Sequence, residues 1–296
     1  MKALIVLILL FFASAQANAA EPVPVVTSIP DVAAIVKAIG GERATVESIA
    51  KGSQDPHYVE AKPSYMRVMN RARALFYTGL QLEIGWLPLL VQGARNRSLV
   101  QVDLSEGISV LERPTGPISR AQGDIHPEGN PHYWLDPRNG ISMARRIAQE
   151  LKGIAPGDAA LFDQNLKNFE TDLDRRRQKW EERMAPFRGA EIVAYHKEWE
   201  YLAKWLGLSI IGYVEDKPGI PPAPQQVANI VRTMQQRKVK ALLVANFTNP
   251  AIPQSVAEKG GAKLVILPAS VGGEKGIDSC GDLFDSIVGK LAEALR

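Results

Sequence analysis

Residues 158–184, DAALFDQNLKNFETDLDRRRQKWEERM, decide the fold because they contain neither Gly nor Pro. Pro156-Gly157 and Pro186 bracket the segment, a pattern that predicts one long helix with Asp158 at its N-cap. At a rise of 1.5 Å per residue, such a helix would span roughly 40 Å, the width of a small domain. Apolar residues at spacings of three, four or seven predict one buried side: Leu161, Phe162, Leu166, Phe169, Leu173, Trp180 and Met184.

On both sides of this segment, short β-branched runs alternate with helical patterns, which predicts parallel sheets built from βαβ units. The first series has predicted strands at 23–28, 44–49, 74–78 and 98–102, and helices at 30–39, 63–71, 80–92 and 141–151. The second has predicted strands at 191–195, 209–213, 241–245 and 264–267, and helices at 199–206, 225–236, 252–259 and 283–295. The predicted fold is therefore α/β, with two lobes, each a mostly parallel sheet flanked by helices, joined by one long rigid helix.

The expected boundaries are 20–156 for the N-terminal lobe, 157–187 for the linking helix and 188–296 for the C-terminal lobe. A flexible hinge would need Gly, Ser or an unstructured segment, so we expect the lobes to move little relative to each other. The alternative is that 158–184 forms half of a helical hairpin or a coiled-coil arm. The apolar side is interrupted at Arg175-Arg176-Arg177, which argues against a continuous coiled coil.

Charge and cysteine content narrow the class of protein. The 296 residues include 35 Lys and Arg against 32 Asp and Glu, a net charge of +3, and basic residues nowhere run together as a nucleic-acid-binding face requires. We therefore exclude nucleic acid as a partner. Cys280 is the single cysteine, so an internal disulfide and multi-cysteine metal sites are excluded. Any metal must be bound by nitrogen and oxygen ligands.

The first residues have the pattern of a secretory signal peptide. Lys2 precedes an apolar run over residues 3–13, and Ala17-Asn18-Ala19 fits the small-x-small cleavage rule, which predicts a signal peptide over 1–19. The run is shorter than the roughly 20 residues of a membrane-spanning helix, and the alternative is a buried N-terminal helix. No cysteine follows the run, so we expect a monomeric mature protein without a lipid anchor, free in the periplasm.

Three of the four histidines follow predicted strands. His57 lies in the loop after the second strand, His132 lies beyond the fourth, and His196 directly follows the first strand of the second series. Loops at the carboxyl ends of parallel strands form the ligand crevice of open α/β sheets, so these three imidazoles could converge into a metal site. Taken singly, each is more typical of a surface residue, because no local motif ties them together.

Four motifs carry a resemblance to a known family: Asp55-Pro56-His57, ALFYTGLQLE at 74–83, NPHYWLDP at 130–137 and YHKEWEYL at 195–202. Over essentially the whole mature chain, the sequence resembles the solute-binding proteins of ABC transporters that capture zinc or manganese. The resemblance implies two α/β lobes linked by a long helix, one divalent ion bound between them, and delivery of that ion to a membrane permease. By matched position, it also implies that His57, His132 and His196 are the metal ligands.

The ligand set favours zinc over manganese. Manganese binders of the family often have a glutamate where this chain has His196, and imidazole independently suits zinc whereas carboxylate suits manganese. The fourth ligand departs from the family pattern, because relatives place an aspartate after the last strand, where this chain reads LPASVGG at 267–273. Glu274 or Asp278 from the following loop, Asp55 beside His57, or a water molecule could complete the tetrahedron.

Three further features have two interpretations each. His126 lies where zinc-binding relatives carry a mobile loop rich in His and acidic residues, so it could capture metal transiently with Asp124 and Glu128, or be a surface histidine in a turn. Asp136 could hold the ring of a ligand histidine or cap the helix after Pro137. The acidic pair Glu215-Asp216 could meet the permease or simply be an exposed charged loop.

Two functions of other classes compete with transport. Three histidines with an open fourth position also occur in zinc hydrolases, which would make the chain a secreted enzyme. The sequence has no His-Glu-x-x-His helix and no general base placed by a motif, so we expect no enzymatic activity. An adhesin built on the same scaffold is a third possibility, against which the absence of a predicted anchor argues.

Overall fold

The computed structural model describes residues 21–116, 126–215, 217 and 219–296. Within them the chain forms two four-stranded sheets, with strand orders β2-β1-β3-β4 and β6-β5-β7-β8, and every pairing between neighbouring strands is parallel. The predicted two-lobed α/β fold is confirmed. The predicted signal peptide, Asp124 and Asp216 lie outside the described residues.

The N-terminal lobe contains the first sheet and four helices. Its elements are β1 (Val23–Thr27), α1 (Pro30–Gly40), β2 (Ala44–Ser48), α2 (Pro63–Arg71), β3 (Ala74–Tyr77), α3 (Leu87–Ala94), β4 (Val100–Asp103) and α4 (Pro137–Ile154). The C-terminal lobe contains β5 (Glu191–Ala194), α6 (Glu200–Leu206), β6 (Ser209–Tyr213), α7 (Pro224–Arg237), β7 (Ala241–Ala245), α8 (Ala251–Gly260), β8 (Lys263–Leu267) and α9 (Cys280–Leu295). A proline in the first turn begins α1, α2, α3, α4 and α7, where its missing N–H and fixed φ cost nothing.

One predicted helix begins later than its pattern suggests. The apolar pattern over 80–92 predicts a helix, but α3 starts only at Leu87. Leu80 and Gln81 have positive φ values of 50° and 63°, and the Glu83 carboxylate accepts the backbone N–H groups of Thr78 and Gly79 at 2.8 and 3.2 Å. These contacts fold the segment before Trp86 into turns, so a buried carboxylate overrides the helical periodicity.

Helix α5 (Ala159–Met184) connects the two lobes, as predicted. It packs against α1 and α4 of the N-terminal lobe and against α9 of the C-terminal lobe. Its buried residues are Phe162, Leu173, Trp180 and Met184, whereas Leu161 of the predicted apolar side is 42% exposed. Asp158 does not cap the helix with its side chain, because its carboxylate accepts a hydrogen bond from Arg43 Nε at 2.9 Å.

The two lobes touch directly beside the cleft. The indole Nε1 of Trp134 donates to the carbonyl of Ala269 at 2.9 Å, and the Asp31 carboxylate accepts the backbone N–H of Val271 at 3.1 Å. Gly52 lies so close to the same loop that a Cβ there would be 2.2 Å from the carbonyl oxygen of Val271. The carboxyl ends of strands from both lobes therefore meet across a narrow interface. In the part of the chain that the structure describes, no helix is both long and apolar enough to cross a membrane.

Candidate metal centre

The structure brings His57, His132 and His196 together in the cleft between the lobes. Each offers one ring nitrogen, and the three nitrogens lie within 4.8 Å of one another. The ring centroid of His57 is 5.1 Å from that of His132 and 6.0 Å from that of His196. The ring centroids of His132 and His196 are 5.9 Å apart. Residues separated by more than 60 positions in the sequence thus form one cluster, through the loops that follow β2, β4 and β5.

The two histidines of the N-terminal lobe are held in the same local way. Asp55 Oδ1 accepts both the backbone N–H of His57, at 2.9 Å, and its ring Nδ1, at 2.7 Å. Asn130 Oδ1 accepts the backbone N–H of His132, at 3.0 Å, and its ring Nδ1, at 2.9 Å. An acceptor at Nδ1 keeps the proton on that nitrogen and leaves the lone pair of Nε2 for a metal. The repeated pattern Asx-Pro-His is the sequence signal for this arrangement, although the role of Asn130 was missed.

His196 is held from another strand of the C-terminal lobe. Its Nδ1 lies 2.9 Å from Glu215 Oε2, and Glu215 is only 8% exposed. The expectation of an exposed acidic loop is wrong for Glu215. The backbone N–H groups of Val214 and Glu215 bond to the carbonyls of Ala194 and Tyr195, so pairing with the β5 strand continues past the end of β6. This pairing carries the Glu215 side chain into the cleft beside His196.

The three acceptors and the burial of the site set its protonation. Burial, together with the neighbouring histidines, lowers the pKa of His132 well below 6.5. Burial also works against protonation of His196, but the hydrogen bond to Glu215 and nearby carboxylates raise its pKa to about 9. Burial would raise the pKa of Asp55, yet the hydrogen bond and charge of His57 hold it below 3.8. In the metal-free site, His132 is therefore neutral at pH 7 and His196 carries a proton.

The proposed carboxylate candidates for a fourth ligand contact other groups. Asp55 binds the far side of the His57 ring, Glu274 forms an ion pair with Lys290, and Asp278 is exposed just before α9. Among the residues that the structure describes, the cluster able to hold an ion includes none of these three carboxylates. Within the described part of the chain no carboxylate therefore joins the three imidazoles, and the role of these three residues as ligands stays a prediction.

Of the two interpretations of Asp136, the structure places it as a helix cap. Its Oδ1 accepts the backbone N–H of Arg138 at 2.9 Å, at the start of α4, and its Oδ2 lies 2.6 Å from Arg138 Nη2. The ring of His132 is held by Asn130 instead. Asp136 thus stabilises the helix that follows the His132 loop without touching the imidazole cluster.

His126 lies against the cluster and is not an isolated surface residue. Its Nε2 is 3.2 Å from Nε2 of His57, with the ring centroids 5.2 Å apart. Two positions further on, Glu128 accepts a weak hydrogen bond from Gln81 Nε2 at 3.3 Å. The turn that carries His126 is thus placed at the mouth of the site, although its ring nitrogen is outside the group of three.

Comparison with known proteins assigns the chain to a family. A family model described as zinc-uptake complex component A, periplasmic (ZnuA) matches residues 25–294. The manganese ABC transporter substrate-binding lipoprotein PsaA of Streptococcus mitis is 28% identical over 263 residues, covering 86% of this chain and 82% of PsaA. The metal ABC transporter substrate-binding lipoprotein FimA of Streptococcus parasanguinis is 28% identical over 292 residues, covering 95% and 91%.

Solved structures show the same fold. A crystal structure of ZnuA superimposes with a TM-score of 0.80 at 24% identity, covering 93% of this chain and 100% of that one. The Mn-bound periplasmic metal binding protein from Candidatus Liberibacter asiaticus gives a TM-score of 0.77 at 17% identity, covering 93% and 100%. Because the family model spans nearly the whole chain, the protein belongs to the ZnuA family of extracytoplasmic, metal-binding substrate-binding components of ABC transporters, and it is not an enzyme.

Proposed function

We propose that this protein captures zinc, in preference to manganese, between its lobes and delivers it to an ABC permease. The observation that supports this proposal is the set of three ring nitrogens within 4.8 Å of one another, contributed by His57, His132 and His196. Each Nδ1 is engaged by an oxygen acceptor, so each ring directs Nε2 toward a shared ion. Three imidazoles with one remaining position match the tetrahedral coordination of zinc.

Support for zinc over manganese comes from the donor atoms. Manganese prefers carboxylate oxygens and high coordination numbers, whereas imidazole nitrogens suit zinc. Asp55 and Glu215 accept hydrogen bonds from the Nδ1 atoms of His57 and His196, so these two carboxylates orient the rings and do not serve as oxygen ligands. The names of the relatives point both ways, since PsaA is described as a manganese protein and the family model as a zinc-uptake component.

We further propose that His126 meets the incoming ion together with His57. Two nitrogen ligands of one tetrahedral zinc ion lie about 3.3 Å apart, as follows from Zn–N distances of about 2.0–2.1 Å. The Nε2 atoms of His57 and His126 are 3.2 Å apart, close to that edge length. His126 can therefore share an ion with His57 while the ion passes to the other two histidines, and a water molecule then completes the tetrahedron.

The proposal also includes location and boundaries. We propose a monomeric mature protein, cleaved after Ala19 and working without a lipid anchor in the periplasm, with lobes at 20–156 and 188–296 joined by 157–187. The curated relatives are named lipoproteins, but the one cysteine of this chain, Cys280, lies buried at the start of α9. Mass spectrometry of the protein purified from a periplasmic extract tests both points, since a lipid or a retained leader would add mass.

Metal binding itself is tested with the mature protein and a chromophoric chelator as competitor. We expect one exchangeable zinc ion per chain and much weaker manganese binding. Replacing any one of His57, His132 and His196 by Ala should lower zinc affinity by more than the factor of about 10–100 that is typical of changes outside the ligand shell. Lys259→Ala, at an exposed residue of α8 outside the cluster, is the control and should bind as the wild type does. Full-strength zinc binding after His196→Ala would refute the site between the lobes.

A further inference from the structure

Five arginines lie together at the end of the N-terminal lobe that is opposite the metal centre. Arg71 is the last residue of α2 and Arg73 precedes β3, whereas Arg95 and Arg97 follow α3 and precede β4. Arg67 lies four residues before Arg71, on the same side of α2. The metal-binding loops follow the carboxyl ends of parallel strands, so these arginines, at the amino ends of β3 and β4, occupy the other edge of the sheet. We call these five residues the arginine face.

The arginine face has little negative charge of its own. All five side chains are exposed, and none forms an ion pair or a hydrogen bond with another residue of the described chain. Residues 61–102 contain six basic residues and one acidic residue, Glu83, which is buried and bound to backbone N–H groups at the end of β3. By contrast, the run Arg175-Arg176-Arg177 of α5 pairs with carboxylates. The charge of the arginine face is therefore available to an external anion.

A groove between α2 and α3 arranges three of these guanidinium groups around one concave surface. Arg67, Arg71 and Arg95 line it, together with Leu89, an apolar residue that is 55% exposed. The planar fork of a guanidinium group binds the oxygens of a phosphate in bidentate fashion. A phosphate in this groove therefore meets several donors at once, and Leu89 adds an apolar contact beside them.

A second groove extends the arginine face toward the start of β1. Arg71 and Arg73 line it, and Arg43 in the same lining is paired with Asp158. Glu21 is the other carboxylate of this lining. Three arginines against two carboxylates leave the second groove with a net positive charge, so the positive surface continues across both grooves.

We propose that the arginine face binds the anionic headgroups of a phospholipid bilayer. The chain is an extracytoplasmic component of an ABC transporter, so it works beside a membrane. Exposed guanidinium groups next to an apolar side chain are typical of a surface that adsorbs to anionic lipid. The permease receives the ion at the cleft, at the opposite end of the lobe, so it is not the partner of this face.

Adsorption through the arginine face has a consequence for transport. The three imidazoles lie at the other edge of the sheet, so a protein bound to lipid in this way turns its cleft away from the bilayer. It can then collect metal while it stays near the membrane, and it must leave the lipid to deliver the ion. This inference goes beyond the proposed function, which concerns the cleft alone.

The test is flotation of the mature protein with vesicles of phosphatidylglycerol and phosphatidylcholine, compared with vesicles of phosphatidylcholine alone. We expect binding to the anionic vesicles that is lost at high ionic strength, because salt screens exposed charges, and little binding to the neutral ones. Each arginine near an anionic surface raises affinity about fivefold, so the triple variant Arg67→Gln, Arg71→Gln and Arg95→Gln should bind about 100-fold more weakly.

A second triple variant is the control for net charge. Lys204→Gln, Arg232→Gln and Lys259→Gln remove the same charge from exposed positions of the C-terminal lobe. Its vesicle affinity should stay within about threefold of the wild type, because charges distant from the bilayer are screened. Both triple variants should keep the melting temperature and the zinc affinity of the wild type.

Two results would overturn the proposal. They are equal binding of the wild type to anionic and neutral vesicles, including no binding to either, and equal vesicle affinity of the two triple variants. Absence of zinc binding in the wild type would instead overturn the proposed function, whatever the vesicles show.

Discussion

Glu215→Gln is the change that most directly tests how protons compete with metal at this site. In the metal-free protein the hydrogen bond to Glu215 and nearby carboxylates outweigh burial and raise the pKa of His196 to about 9. The bound ion needs a neutral imidazole, so each ion that binds below pH 9 must displace this proton. The amide of a glutamine carries no charge, and the pKa of His196 should then fall toward its ordinary value of about 6.5.

The magnitude follows from the distance between the pH and that pKa. At pH 7.5, a His196 pKa of about 9 lies about 1.5 units above the pH. Removing the proton then costs about 2 kcal/mol, which is about a 30-fold loss in zinc affinity. Because of this proton on His196, zinc affinity should rise about tenfold per pH unit, or about 100-fold between pH 6.5 and 8.5. With the pKa near 6.5 in the variant, the same interval should yield only about a twofold change.

Two neighbours affect the proton count without obscuring the comparison. Burial and the nearby histidines lower the pKa of His132 well below 6.5, so His132 has no proton to lose in this range. Burial raises the pKa of Glu198 to about 8, so an arriving ion can release a further proton from that carboxyl. The charges of His196 and Glu215 act on the pKa of Glu198 in opposite directions, so the difference between wild type and Glu215→Gln reports mainly on His196, at about one proton per ion near pH 7.5.

The assay combines chelator competition from pH 6.5 to 8.5 with calorimetry in buffers of different ionisation enthalpy. Because Glu215 also orients His196, an outer-sphere loss of about 10–100-fold should leave the variant weaker than the wild type at pH 8.5 and as tight or tighter at pH 6.5. Glu191→Gln, at the opposite end of β5 and paired with Arg237, is the matched control and should keep the wild-type slope. Equal slopes and equal proton counts in wild type and Glu215→Gln would refute the reasoning.

The remaining predictions concern orientation, capping, capture and motion. Asp55→Ala should weaken zinc binding about 10–100-fold, because the His57 ring loses its acceptor. Asp136→Ala should leave zinc affinity unchanged and lower the free energy of unfolding by about 1 kcal/mol, because α4 loses its cap. The reverse pattern would contradict both assignments. His126→Ala should slow zinc association in stopped-flow mixing and change equilibrium affinity little; an unchanged association rate would exclude its role in capture. Because α5 packs against both lobes, small-angle scattering of the apo and zinc forms should nearly superimpose, and a large closure would contradict a stiff connection.

Local sequence patterns predicted those parts of the fold that depend on nearby residues. The Gly- and Pro-free segment correctly indicated α5, and the alternation of short strands with helices indicated two parallel sheets. Periodicity failed where a tertiary contact decides the backbone. Residues 80–86 have a helical pattern, but the buried Glu83 carboxylate binds backbone N–H groups at the end of β3 and holds the segment in turns.

The candidate site likewise has parts that the local sequence predicts and parts that depend on tertiary contacts. His57 and His132 could be found from their positions after strands, and the Asx-Pro-His pattern two residues upstream was available to identify their acceptors. The role of Glu215 as the acceptor of the His196 ring could not be predicted, because Glu215 lies 19 positions from His196 and reaches it only through pairing of neighbouring strands. The hydrogen bond from Asn130 Nδ2 to Glu200 Oε2 joins residues 70 positions apart in different lobes, so it depends on how the two lobes meet.

This difference implies an order in which the site assembles. His57 is oriented by Asp55 within its own loop, so its geometry is complete in the N-terminal lobe alone. His132 is oriented in the same way by Asn130 within its own loop, whereas His196 belongs to the other lobe. We therefore expect an ion to meet His57 and His132 first, beside His126, and to acquire His196 only while the lobes are in contact. Release to the permease then requires only that His196 move away from the other two imidazoles, a loss of interlobe contact too small to bend α5.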